Sequence, residues 1–290
     1  MTSPIAAALI LLLATGSLAA DDEETEAKTP EEATYIGAEM CSACHQAAVT
    51  SYESTPHGHA LADESRPEGQ RGCEACHGAG SAHFEAAGQG GIMAFGRDVA
   101  ADTRSAPCRT CHAGQPGLHD FTMSAHALAS VACTDCHRAH GGTEEGLLAK
   151  ATPSLCYQCH ADIRAKFAMP EHHEVNEGVL SCLDCHDAHG TRNPQALLAP
   201  NTDTCTRCHS DIEGPFVFEH AAVVTEGCVG CHEPHGTMNR HLLIRQQVAQ
   251  LCYQCHMVTP SNHTQPAFRD CTRCHVAVHG SNTDPRFLER

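Results

Sequence analysis

The chain has 290 residues, with 18 Lys plus Arg against 35 Asp plus Glu, for a formal net charge of −17. That sign argues against nucleic acid or an anionic membrane surface as a partner. Aromatic side chains are only 4 % of the residues and tryptophan is absent, so the large side chains that normally build one or two apolar cores at this length are missing.

Residues 5–20 form an apolar run that ends in small residues, so residues 1–20 are expected to be a secretory signal peptide. The MTSP start departs from the usual pattern in having no Lys or Arg. A retained anchor is the alternative, but the run falls short of the roughly 20 apolar residues of a membrane span and has no basic flank. No cysteine follows it closely, so a lipid-anchored start is not expected. Residues 21–36 are acidic and apolar-poor and are expected to be a flexible segment.

Residues 37–290 carry the chemistry. Ten Cys-x-x-Cys-His motifs use every one of the 20 cysteines. They are Cys41/Cys44/His45, Cys73/Cys76/His77, Cys108/Cys111/His112, Cys133/Cys136/His137, Cys156/Cys159/His160, Cys182/Cys185/His186, Cys205/Cys208/His209, Cys228/Cys231/His232, Cys252/Cys255/His256 and Cys271/Cys274/His275. Zinc sites, redox pairs and disulfides also use paired cysteines, but none requires a histidine directly after the second one. The pattern is that of covalent c-type haem: two thiols bond one porphyrin's vinyl groups and the histidine reaches its iron. Ten motifs imply ten haems, and as sequence they read as ten equivalent sites. The expected fold is mostly irregular with short α-helices wrapped on haems that form the core, with little or no β-sheet. Haem attachment also fits export, because it takes place outside the bacterial cytoplasm.

From Cys108 onward, odd-numbered motifs recur every 47–49 residues, with even-numbered ones between them. A fixed period of this size marks a repeat. Five units of two motifs account for the chain, with a stretched first unit and a compressed last one, as expected at the ends of a linear array. CTDCHRAHG, CLDCHDAHG and CVGCHEPHG begin at 133, 182 and 228.

Of the 24 histidines, ten belong to motifs. The repeat selects ten more as distal iron ligands. His83, His140, His189, His235 and His279 trail the even-numbered motifs. His57, His126, His172, His220 and His263 lie in loops after the odd-numbered ones. In YESTPH, FTMSAH and FAMPEH an aromatic (Tyr52, Phe121, Phe167) stands five residues before the loop histidine. His59 and His173 adjoin selected ligands and could replace them, whereas His119 and His241 are expected at the surface. A trailing histidine can reach a neighbouring haem as readily as its own. Methionine, the other common axial ligand, does not follow the repeat. Two imidazoles per iron favour low potentials.

Three functions compete. A conductor suits a linear repeat of saturated irons. A multihaem reductase needs an open iron, often marked by Cys-x-x-Cys-Lys, which is absent from the sequence. A structural or metal-storage protein fits the motifs poorly. The expectation is an electron-transfer protein rather than an enzyme, with no catalytic residues.

Cys-x-x-Cys-His-x-x-His-Gly alternating with Cys-x-x-Cys-His…Phe-x4-His, together with CEACHGAGSAH at residues 73–83, resembles the periplasmic decahaem cytochromes of the MtrA/PioA/DmsE family. The resemblance covers roughly residues 37–280. It implies an extended wire of ten haems, described in that family as two pentahaem halves, inserted in an outer-membrane β-barrel. It also implies periplasmic redox partners and, outside the cell, an extracellular multihaem cytochrome. A file of ten haems could cross a hydrocarbon layer of about 30 Å. Location in the periplasm, associated with the outer membrane, follows from the same resemblance. A soluble periplasmic shuttle to a terminal reductase is the alternative.

Overall fold

The structure is a computed structural model that describes residues 32–142, 144–257, 263 and 270–289. The signal peptide expected over 1–20 and most of the acidic segment over 21–36 lie outside the described residues.

Every motif is built on one turn of tight backbone. Cys-x-x-Cys-His spans a single helical turn, so both thiols and the imidazole leave the backbone close together. The amide of the histidine donates to the carbonyl of the first cysteine in eight motifs, from His77 to Cys73 at 3.0 Å through His275 to Cys271 at 2.9 Å. Four of these turns are short 3-10 segments, at Cys156–Gln158, Cys182–Asp184, Cys228–Gly230 and Cys271–Arg273. The first and third motifs lie instead within the two longest helices among the described residues, Ala38–Glu53 and Ala101–His112. The former breaks at His45 (φ −112°, ψ 35°), and the latter contains Pro107.

Sheet is nearly absent, as the composition implies. One antiparallel pair joins β1 (Phe218–Glu219) to β2 (Gly280–Ser281), with Phe218 opposite Ser281. Three isolated bridges repeat the same local design: His137 with Leu148, His186 with Leu197, and His232 with Leu243. Each closes a hairpin behind an even-numbered motif. Two successive residues with positive φ turn the chain, Gly146–Leu147, Gln195–Ala196 and His241–Leu242. Two left-handed residues in a row make the tight reversal that suits strand twist, although only the first copy uses a glycine. The conformational cost elsewhere is borne by the hydrogen bonds that close the turn: Asp187 N to Ala196 O at 2.8 Å, and Glu233 N to Leu242 O at 2.8 Å.

Apolar burial is sparse. Among the described residues the buried hydrophobics are Ala82, Ala132, Leu155, Phe167, Val175, Ala249 and Ala277. Four of these seven are alanine, so the polypeptide alone cannot supply the burial that offsets chain entropy. Large apolar side chains stand exposed instead, with Met257 at 90 % and Met123 at 76 %.

Buried polar contacts tie the segments where apolar ones do not. Glu74 is buried and accepts from three backbone amides, Ile36, Gly37 and Gly80, at 2.8–3.0 Å. Arg104 is buried in the helix Ala101–His112 and pairs with Asp135, inside the fourth motif, at 2.9 Å. Asp135 also accepts from the amide of Ala132 at 2.8 Å. The pair fastens the third motif to the fourth. Asp135→Ala removes the ion-pair partner of buried Arg104, leaving only the more weakly acting Asp98, and a loss of about 3 kcal/mol in chemical denaturation is expected. A loss within experimental error of zero would show that solvent reaches Arg104.

Candidate functional site

The ten motifs stand in a continuous file that follows the sequence. Within each unit the first cysteines of the two motifs lie within electrostatic reach of each other: Cys41 with Cys73, Cys108 with Cys133, Cys156 with Cys182, Cys205 with Cys228, and Cys252 with Cys271. Between units the second cysteines take over. Cys76 lies within electrostatic reach of Cys111, Cys136 of Cys159, Cys185 of Cys208, and Cys231 of Cys255. Cys136 and Cys185 also sense the first cysteine of the next motif, Cys156 and Cys205. No junction in the file is skipped. The neighbouring thiol of the same unit pushes Cys133, Cys156 and Cys228 below the ordinary thiol range.

The motifs differ in how far the structure covers their second cysteines. All ten first cysteines are half-buried, because each turns toward its partner within the unit. The second cysteines divide. Cys76, Cys136 and Cys231 are half-buried, whereas Cys44, Cys111, Cys159, Cys185, Cys208, Cys255 and Cys274 are exposed. Cys159 and Cys208 are exposed although each lies across a junction from an even-numbered motif. Cys44 and Cys274 are the second cysteines of the first and last motifs, beyond which the file has no neighbouring unit to cover them. The physical reason is the sparse apolar core: the polypeptide packs one edge of each motif and leaves the other to whatever the motif binds. All 20 thiols are free of disulfides, as thioether bonds to a porphyrin require.

Each motif histidine faces one other histidine. Among the described residues the pairs are His45–His83, His77–His140, His112–His57, His137–His189, His160–His126, His186–His235, His209–His173, His232–His279, His256–His220 and His275–His263. Ring centroids are separated by 5.8 Å in the tightest pair and 6.4 Å in the widest. Two imidazole nitrogens each about 2 Å from a shared metal set the centroids roughly 6 Å apart. Direct stacking of packed rings would bring them closer. The spacing therefore fits one iron between each pair, with the two adjacent cysteines able to hold the porphyrin edge.

Hydrogen bonding leaves the facing nitrogens available. Nδ1 of His137, His186 and His232 donates to the carbonyl of the residue nine positions on, Gly146, Gln195 and His241, at 2.6–2.8 Å. These carbonyls belong to the positive-φ turns, so the hairpin serves to aim the motif ring. The loop histidines have their own rule. His126, His173 and His220 donate from Nδ1 to Ala188, Pro234 and Val278, each the residue just before the next unit's trailing histidine, at 2.6–2.8 Å. Donation through Nδ1 fixes the tautomer and orients Nε2 toward its partner. His57 is the exception: its Nδ1 is buried without a partner, while its Nε2 lies 3.5 Å from that of His112.

Burial pushes His57, His140, His189 and His235 below the ordinary imidazole range, and in all four the facing imidazole adds to the effect. A neutral ring is the form that ligates metal.

The exchange between units is reciprocal. The trailing histidines His140, His189, His235 and His279 face even-numbered motifs of the preceding unit. The loop histidines His57, His126, His173 and His220 face odd-numbered motifs of the following unit. Every junction thus has two pairs running in opposite directions. In the first and last of the five units, His83 and His263 turn back to His45 and His275 in their own units.

One expected histidine position changes. His172 faces no motif ring; its Nδ1 is directed to the carbonyl of Met169, and its Nε2 lies 3.3 Å from Glu177. His173 faces His209 in its place. Spacing from the aromatic, five residues in YESTPH and FTMSAH and four from Phe216 to His220, is six from Phe167 to His173. The aromatics also acquire a role that the sequence did not specify. Tyr52, Phe121 and Phe167 pack edge-on against His140, His189 and His235, with centroids 5.4–6.4 Å apart. His241, expected at the surface, contributes its carbonyl to His232.

A family model described as the doubled CXXCH motif matches residues 126–165, 172–214 and 220–260. Each match joins an even-numbered motif to the following odd-numbered one, offset by one motif from the units drawn above. None of the curated proteins matches the chain. Paired motifs of the multihaem c-type cytochrome kind are present, and such motifs carry covalent c-type haem for electron transfer.

Proposed function

We propose that the chain is an electron conduit of ten covalent haems, each iron held between the two histidines of one pair. The observation that carries this reading is the completeness of the pairing: every motif histidine faces one partner, in a file ordered as the sequence is. An iron with two imidazoles has no open position for a substrate, which favours relay over reductase chemistry. When bound, haem supplies the one-electron couple. The chain's own residues bind it, orient its axial rings through Nδ1, and keep successive attachment sites adjacent.

The conduit is proposed to work in the periplasm, associated with the outer membrane. There it would pass electrons between periplasmic carriers and the cell exterior, inside a β-barrel and onward to an extracellular multihaem cytochrome. Support comes from the resemblance of residues 37–280 to decahaem cytochromes of that kind and from the apolar leader. The sparse apolar core and exposed flanks of the file suit an elongated protein that needs a sheath.

Three outcomes are expected. A haem assay on the purified protein gives ten haems per chain, and a clearly lower number would overturn the count. His173→Ala converts one haem to a high-spin form that binds carbon monoxide, whereas His172→Ala leaves the low-spin spectrum unchanged; the reverse result would sink the assignment to His173. Purification from outer membranes recovers the protein with a large β-barrel, and the pair reconstituted in liposomes conducts electrons across the bilayer. Recovery solely as a free periplasmic monomer would replace the barrel-bound conduit with a soluble shuttle.

A further inference from the structure

The residue directly after the motif histidine differs among otherwise matching copies. It is Arg138 in CTDCHRAHG, Asp187 in CLDCHDAHG and Glu233 in CVGCHEPHG. Each stands two positions before the trailing histidine of its copy. Geometry separates the three further. Glu233 Oε1 accepts from Nδ1 of His235 at 2.9 Å, and its Oε2 accepts from Nζ of Lys166 at 2.7 Å. Asp187 Oδ1 lies 3.7 Å from Nδ1 of His189, outside hydrogen-bond reach. Arg138 carries the opposite charge.

His235 therefore differs from the loop histidines, which donate to neutral carbonyls. Its acceptor is an anion in a partly enclosed place: the side chains of Glu233 and His235 are 26 % and 27 % exposed, and Phe167 covers the ring edge-on at 5.4 Å. A carboxylate accepting from Nδ1 draws the imidazole toward imidazolate and makes Nε2 a stronger donor. A stronger axial donor favours the ferric over the ferrous state and lowers the potential. Lys166, which reaches across from the helix Ala161–Lys166, holds the carboxylate in place and offsets part of its charge.

We propose that Glu233 is a positioning residue that sets the iron between His186 and His235 at a lower potential than those between His77 and His140 or His137 and His189. The inference rests on the electron-relay reading. It makes the file uneven: electrons moving either way meet an uphill step at the sixth motif, set by a side chain rather than by the haem. Only one-electron exchange between neighbouring haems is involved, one iron being reduced as its neighbour is oxidised.

The test is a potentiometric titration of the holoprotein followed by electron paramagnetic resonance, with haem content measured in parallel. In Glu233→Gln all haems remain low-spin, and one of the lowest-potential haems shifts upward. Lys166→Gln shifts the same haem downward. Asp187→Asn produces a smaller upward shift in a different haem. Full haem content with an unshifted titration in Glu233→Gln would overturn the proposal. Should Glu233→Gln lose a haem, Lys166→Gln decides, since the absence of any downward shift there overturns it equally. Wild-type protein lacking haem would instead defeat the relay reading, so the two failures are distinguishable.

Discussion

The contact on which the molecule depends is the approach of two imidazoles from different segments to a common gap. Eight of the ten pairs described join one two-motif unit to the next, and the remaining two close the ends. A chain whose buried hydrophobics are mostly alanine has few other means of holding distant segments together. Metal and cofactor binding that requires the folded arrangement adds its free energy to folding. With reciprocal pairs at every junction, the proposed irons of each unit would take one ligand from a neighbouring unit. Stability then accumulates along the array as nearest-neighbour terms, the behaviour of a linear repeat protein.

The pairs are aimed by backbone. Behind three even-numbered motifs a hairpin places a carbonyl against Nδ1 of the motif ring. Beside the loop histidines a carbonyl of the neighbouring unit does the same. The second case couples two functions in one segment, since the residue offering its carbonyl directly precedes the trailing histidine that faces another motif. A shift of that segment would disturb two pairs at once. Variation within this regular frame is therefore confined to positions such as 138, 187 and 233, where charge changes and the backbone does not.

Two buried charged side chains, Glu74 and Arg104, tie segments of the first two units. Glu74 anchors the segment before the first motif, and Arg104 with Asp135 joins the third motif to the fourth. In the later units the hairpins and the exchanged histidines recur with almost constant geometry. The stretched first unit keeps both exchanged pairs with the second, His57–His112 and His77–His140, and the buried Glu74 carboxylate adds a tie within it.

Much of this was legible in the sequence because the chemistry is local. Cys-x-x-Cys-His states its own cofactor, low aromatic content rules out an ordinary core, and a period of 47–49 residues separates motif histidines from those that recur around them. Nine of the ten histidines that face motif rings stand at positions the repeat singles out. The tenth shows where local information ends: His172 and His173 are chemically identical neighbours, and only the path of the loop after Phe167 decides which ring turns inward. The two cysteines of a motif are alike in the same way, yet Cys156 is packed within its unit while Cys159, one turn on, is exposed. Partner choice was likewise invisible. A histidine three residues behind its motif faces the motif of the preceding unit rather than its own. The sequence by itself determined which groups are available and how often they recur. The tertiary structure decided which of them meet, since pairing depends on how separate turns pack across unit junctions.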